Sequence, residues 1–238
     1  AYTLASNKEC KVGLLDFEIF NPIQRELFDI NPSFTLKDAL DAVIKKTLTP
    51  AVLENFMKNN KVSKNLDILA GLYDINEFYS SQQIYFKEII EKAKFTYDYI
   101  VIDTNSLYDL YPTNIALEMA DDVIVPLRGR KHSINTVNRY LSNFNEYNDY
   151  DIRKFHLVVN KYSGNDLTSI EIQSQAIRPI IGYISYNKNY DKLTLLNDTK
   201  TINEYIDVLN EIGIKIKKKR NIFKSIVGRQ KGDLNVCK

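Results

Sequence analysis

KVGLLDFEIFNP, residues 11–22, is the stretch on which the fold turns. Lys11–Asp16 is an almost unbroken apolar run that ends in a carboxylate, and Phe17, Glu18, Ile19, Phe20, Asn21 and Pro22 then break the pattern. A short apolar run without polar alternation reads as a strand buried on both faces, as in a parallel sheet covered by helices. FTYDYIVIDT, residues 95–104, has the same form, with Tyr99–Asp103 as its strand. Working outward, Leu66–Ala70, Val123–Leu127, Phe155–Asn160 and Pro179–Ile184 read as four more strands. Helical patterns lie between them at Thr35–Lys46, Pro50–Asn59, Ser81–Lys94, Tyr111–Met119, Ser133–Phe144, Leu167–Ala176, Tyr190–Leu196 and Thr201–Ile212. Pro50 and Pro112 suit a first helical turn, and Ser133 and Thr201 are expected caps. Strands alternating with helices predict an α/β fold, a doubly wound and mostly parallel sheet with helices on both faces. This domain is expected over residues 1–212, with residues 213–238 as a separate tail.

Composition narrows the class. Of 238 residues, 44% are hydrophobic and 26% charged, which is ordinary for a globular chain and excludes disorder. No apolar run approaches the roughly 18–20 residues of a membrane-spanning helix, and no secretory leader pattern is visible. Two cysteines, Cys10 and Cys237, are too few for a disulfide framework, so a cytoplasmic setting is expected. The two histidines, His132 and His156, lack partners at ligand spacing, so no zinc site is expected. His156 sits in an apolar run and is read as core.

In such sheets ligands bind beyond the carboxyl ends of the strands. Asp16, Asp103 and the pair Asn160–Lys161 stand at three of those ends. A carboxylate at the tip of a buried strand is costly to desolvate unless it meets donors or a cation. Mg²⁺ on phosphates is a common partner, because it keeps several waters and needs only one or two protein carboxylates.

These segments together resemble the deviant-Walker (ParA/MinD) P-loop ATPase superfamily. KVGLLDFEIFNP resembles its A′ segment and FTYDYIVIDT its Walker B strand. NLDILAGL (residues 65–72) resembles the strand between them, and MADDVIVPLRGRKHSI (119–134) the strand and Ser-started helix that follow. HLVVNK (156–161) resembles the strand whose Asn reads adenine, and IGYISYNKNY (181–190) the segment after the next strand. The similarity runs from residue 1 to about residue 212, nearest to the MinD branch and to relatives that place flagella or pili. One departure is large: the phosphate-binding loop G-K-G-G-x-G-K-T-T is absent, and all eight glycines are isolated. AYTLAS (1–6) resembles the end of the helix that follows that loop. The expectation is therefore an N-terminally truncated chain, beginning about one helical turn past the loop. The alternative is a relative that lost ATP binding.

The resemblance implies roles position by position. Asp103 holds Mg²⁺ through a water, and Asp16 and Glu18 flank the γ-phosphate as the catalytic pair. Glu18, where the family usually has Asp, orients the attacking water. Asn160 binds the adenine edge, with Lys161 beside it. ATP and Mg²⁺ are the implied cofactors, a homodimer on ATP binding the implied assembly, and an unknown protein activator or cargo the implied partner. Without the loop's lysine and backbone N–H groups, this chain is expected not to hydrolyse ATP. A second departure, Thr104-Asn105-Ser106 after Asp103, argues against fast hydrolysis even with the loop restored.

The charge is unevenly spread. Residues 215–238 hold nine Lys/Arg and one Asp, leaving 23 Lys/Arg against 29 Asp/Glu in residues 1–214. At 100° per residue, Ile222, Phe223, Ile226 and Val227 form one apolar stripe, with Lys218, Lys219, Arg220 and Lys224 as basic neighbours. A basic amphipathic segment of this kind reads as binding an anionic membrane surface, and its place resembles the family's C-terminal membrane-targeting helix. Partial burial of four apolar side chains is offset by backbone ordering at about 1–2 kcal/mol per residue, so one tail binds weakly. Two tails on a dimer bind by avidity. The resulting expectation is an ATP-dependent switch that positions or assembles machinery at the inner face of the cell membrane. The alternatives are a non-catalytic scaffold of the same fold, or a DNA-partition ATPase. DNA is the lesser candidate, because phosphate contacts need no apolar stripe.

Overall fold

The computed structural model describes residues 1–7, 9–58, 63–79, 81–107, 109–147, 150–188 and 198–218. In chain order the elements are α1 (Tyr2–Asn7), β1 (Val12–Phe17), α2 (Gln24–Leu27), α3 (Leu36–Ile44), α4 (Pro50–Met57), β2 (Leu66–Leu69), α5 (Asn76–Tyr79) and α6 (Gln83–Ala93). They continue with β3 (Tyr99–Thr104), α7 (Tyr111–Met119), β4 (Val123–Leu127), α8 (Lys131–Tyr147), a 3-10 turn (Ile152–Lys154), β5 (Phe155–Tyr162), α9 (Ser169–Gln175), β6 (Ile180–Ser185) and α10 (Thr199–Glu211).

All six expected strands form, and every pairing is parallel. They make two three-stranded parallel sheets, β2-β1-β3 and β4-β5-β6, in keeping with the expected doubly wound α/β fold. Each sheet is covered on both faces. Leu15, Phe17 and Leu69 pack against α3, α4 and α6 through Leu36, Leu53, Met57, Phe86 and Ile89. Their sequence neighbours Leu14 and Ile68 face the other way, toward Leu4 of α1 and Ile202 and Ile206 of α10. In the second sheet Phe155, Leu157 and Val159 meet Ile134 and Leu141 of α8 and Ile172 of α9. Val158 and Ile184 meet Val208 of α10 on the opposite face. Thus α10 touches both sheets and ties them together. It lies so close on β6 that a Cβ at Gly182 would fall 2.4 Å from Val208 Cγ2, which is why a side-chain-free residue stands there.

Several local expectations are corrected. Ser133 lies inside α8, which starts two residues earlier, and its Oγ accepts from Arg128 N at 3.0 Å to close the turn after β4. Thr201 lies inside α10, and Asp198 is the cap, accepting from Thr201 N. Thr49 and Thr168 cap α4 and α9, and Thr35 and Asp38 form a capping box on α3. His156 is half-buried rather than core. It alternates with Phe155 and Leu157, faces away from α8, and sets its Nε2 2.7 Å from Asp122 Oδ1. The expected helix at Tyr190–Leu196 falls on residues outside the described ones, apart from which the helical readings all correspond to helices. After α10 the chain stays packed to Ile216, whose backbone N and O are held by the Asn210 side chain at 2.8 and 3.1 Å.

Candidate functional site

The register of β1 on β3 pairs Asp16 with Asp103, so two carboxylates meet at neighbouring strand ends of the first sheet. Asp16 is fully buried. Glu18 N donates to its Oδ1 and Gln24 N to its Oδ2, each at 3.3 Å. Burial is the main cause that pushes the Asp16 carboxyl up to about 7, and the nearby Asp103 adds to it. The backbone approaches closely here: a Cβ on Gly71, just past β2, would lie 2.4 Å from Pro22 Cβ and 3.1 Å from Asp16 Oδ2. Only glycine lets residues 19–22 fold down over the carboxylate.

That fold-down depends on two buried amides that are not among the expected site residues. Gln24 opens α2; its Nε2 donates to Asp103 Oδ2 at 2.6 Å while its own N–H serves Asp16. Asn105 follows β3; its Nδ2 donates to Glu18 Oε1, and its Oδ1 accepts from Ile19 N at 3.1 Å. Glu18 Oε1 also accepts from Phe20 N at 3.0 Å and Asn21 N at 3.3 Å. Glu18 is thereby fixed in a half-buried position rather than left as a solvated turn residue. Asn105 belongs to the Thr104-Asn105-Ser106 departure, so its odd residue type was the signal. Gln24 gave none, because a four-residue helix has too little periodicity to read.

Asn160 and Lys161 stand near the carboxyl end of β5, in the second sheet rather than in the Asp16–Asp103 cluster. The β5–β6 register shifts between Val159 and Tyr162, and Lys161 takes a left-handed φ of 56°. A bulge of this kind re-aims side chains, and non-glycine residues held at positive φ concentrate at functional sites. Of the expected membrane-binding residues, Lys218 is described, with its Nζ 2.7 Å from Asp207 Oδ1 on α10. Lys219, Arg220, Ile222, Phe223, Lys224, Ile226 and Val227 lie outside the described residues.

The donor set suits a hard cation that brings most of its own ligands. Two oxygen-only side chains at one rim, with Asp16 raised partly by its like-charged neighbour, match a Mg²⁺ that keeps waters and phosphates. Among the described residues no group of three or more His, Cys, Asp and Glu could hold a metal without such help.

The AAA-domain family model (AAA_31) matches residues 3–157, which carry Asp16, Glu18, Gln24, Asp103, Asn105 and all of the first sheet. No curated protein matches the chain. Among solved structures it is similar to a ParA family ATPase from Chlorobium tepidum TLS, with a TM-score of 0.76 and 19% identity over 90% of each chain. It is also similar to the septum site-determining protein MinD complexed with Mg-ADP from Pyrococcus horikoshii OT3, with a TM-score of 0.68 and 16% identity over 89% of this chain and 86% of that one. A putative plasmid partition protein from Borrelia burgdorferi B31, bound to AMPPNP, gives a TM-score of 0.67 and 20% identity over 89% and 91%. At these identities the likeness establishes the fold. With the family match over well over half of its length, the chain belongs to the AAA-domain family AAA_31 and has the fold of the deviant-Walker ParA/MinD ATPases.

Proposed function

We propose that this chain carries the carboxylate half of a Mg-ATP site in a dimerising switch that positions or assembles machinery at the inner face of the cell membrane. The observation that carries the reading is the pairing of Asp16 with Asp103 by strand register, with Glu18 fixed beside them. Bound Mg²⁺ supplies charge neutralisation on the phosphates. Asp103 would hold the metal, through a water as the family resemblance implies. Asp16, largely protonated below pH about 7, and Glu18 flank the γ-phosphate. With the phosphate-binding loop restored, Glu18 would orient the attacking water, and Asn105 keeps Glu18 in place. Phosphoryl transfer depends mainly on positioning and charge, which is what this cluster provides. Asn160, with the strained Lys161 next to it, reads the adenine edge. The MinD and plasmid-partition relatives, recorded with Mg-ADP and AMPPNP, support nucleotide and Mg²⁺ as the ligands.

Fluorescent ADP titrated with and without Mg²⁺ tests the site. Mg²⁺ is expected to strengthen binding to the wild-type chain and to have no effect on Asp103→Ala. Binding that ignores Mg²⁺ in the wild type contradicts the reading.

Membrane attachment rests on residues 219–238, with Ile222, Phe223, Ile226 and Val227 as the inserting stripe. Among the described residues no helix is long and apolar enough to cross a membrane. Sedimentation with anionic vesicles is expected to recover the protein, and Ile226→Glu to abolish recovery. Salt-sensitive retention on DNA without vesicle binding favours the partition-ATPase alternative. A second reading, a non-catalytic scaffold, is favoured by one contact: Gln24 Nε2 already occupies Asp103 Oδ2 at 2.6 Å.

A further inference from the structure

Residues 20–27 form an arch between two buried anchors. Ile19 stands at one foot, packed in the core cluster of Phe17 and Leu36, with its N–H donated to Asn105 Oδ1. Phe28 and Ile30 stand at the other foot, in the cluster of Leu14 and Ile68. Between them Phe20, Ile23 and Leu27 are exposed, and Gln24 is the one residue of the arch that is buried. The inward position of a short surface segment normally falls to an apolar side chain, and glutamine is mostly an exposed residue. Here the amide is buried because it bridges the two acids. Gln24 N donates to Asp16 Oδ2 at 3.3 Å, and its Nε2 donates to Asp103 Oδ2 at 2.6 Å.

A neutral amide is a poor permanent partner for two neighbouring carboxylates, because it satisfies hydrogen bonds and leaves the charge uncompensated. The amino end of the same sheet shows the other solution. There Lys11 Nζ lies 2.6 Å from Glu54 Oε1 and 3.8 Å from Asp67 Oδ2. At the carboxyl end, Arg25 follows Gln24 directly but turns away, with its Nε 2.9 Å from Glu26 and its guanidinium 3.9 Å from the centre of the Tyr73 ring. Among the described residues no lysine or arginine pairs with Asp16 or Asp103. Gln24 thus fills the place of a cation shared by the pair without supplying its charge.

We propose that the Gln24 side chain is a latch on Asp103: it holds the arch of residues 20–27 shut over the carboxylate pair until hydrated Mg²⁺ arriving with a nucleotide phosphate displaces it. Asp103 Oδ2 then accepts from a metal-bound water in place of Gln24 Nε2, a charge-assisted contact in place of a neutral donor. Ile19 and Phe28 stay anchored, so the movement is confined to the arch, including Pro22 where it lies against Gly71. The inference rests on the reading of Asp103 as the Mg²⁺-holding acid. It makes the contact that favours a scaffold into a reversible, inhibitory one.

The test compares wild type with Gln24→Ala and Gln24→Ala/Asp103→Ala by titrating fluorescent ADP with and without Mg²⁺. Gln24→Ala is expected to bind Mg-ADP about tenfold more tightly, the worth of one hydrogen bond to a charged group. Without Mg²⁺ it is expected to match wild type, and Asp103→Ala in the same background removes the gain. A second readout uses the wild-type chain alone and so does not depend on how the variants fold. On adding Mg-ADP to the isotopically labelled protein, the Gln24 side-chain NH₂ resonances are expected to move to the position of a free amide. Amide hydrogen exchange over residues 20–27 is expected to speed up. Equal Mg-ADP affinity of wild type and Gln24→Ala, with Mg²⁺ strengthening binding to both, overturns the latch and leaves the Mg-ATP reading standing. Weaker Mg-ADP binding by a folded Gln24→Ala also overturns it, since the amide then helps to hold the ligand. No Mg²⁺ effect in either protein overturns the Mg-ATP reading and the latch with it. Gln24 NH₂ resonances that stay in place at saturating Mg-ADP overturn the latch whatever the variants do.

Discussion

Asp16 shows how one residue can serve a site and weigh against stability at once. It is fully buried, and burial raises its carboxyl to about 7, whereas in the unfolded chain it releases its proton near pH 4. Between those values the folded state binds the extra proton, so stability falls as pH rises from about 4 to about 7. The loss is complete above that window and amounts to up to about 4 kcal/mol. Asp16→Asn removes the charge and keeps the shape. Urea unfolding is expected to show the variant gaining on the wild type at pH 8 and matching it at pH 4; an equal pH slope in the two proteins would count against this picture. The candidate carboxylates were legible because an acid ending a buried apolar run is chemically conspicuous. Gln24 was not, since an uncharged amide opening a four-residue helix carries no pattern until the backbone shows what it faces, and Asn105 was marked only as a departure from the resembled motif.

At the scale of elements, strands were read more faithfully than helix ends. Val123–Leu127 matches its observed bounds, and the other strands differ by one or two residues, because burial on both faces forces an unbroken apolar run. Caps fared worse. Ser133 and Thr201 have cap-forming side chains but sit one turn or less inside their helices, and Asp198 and the turn before Lys131 open them. Short pieces such as α2 and α5 span only four residues, too few for a 3.6-residue period to register. The contact of α10 with β6 is a tertiary fact with a sharp consequence. Gly182→Ala drives a methyl into Val208 and is expected to cost about 1–3 kcal/mol. Combined with Val208→Ala, which opens the space, the loss should be smaller than the sum of the single changes. Strict additivity in that double-mutant cycle would show that the two residues do not meet.

Across the whole molecule, the two half-sheets are held by α10, which packs Ile202 and Ile206 under β1 and β2 and Val208 under β5 and β6. The break between β3 and β4 was not legible, since each strand reads as an ordinary buried strand and pairing partners leave no mark on a single strand. It separates the carboxylate cluster from Asn160 and Lys161, so the account assigns one nucleotide to groups drawn from both sheets. The charge asymmetry acts at this scale too. The body carries six more acids than bases, and the last 24 residues eight more bases than acids.

The most direct test of the central claim is paramagnetic broadening of the isotopically labelled chain by Mn²⁺ with ADP. The account predicts that amide signals of residues 16–18, 24 and 103–105 broaden first. Sharp signals from those residues, while others broaden at the same Mn²⁺–ADP concentration, would contradict it.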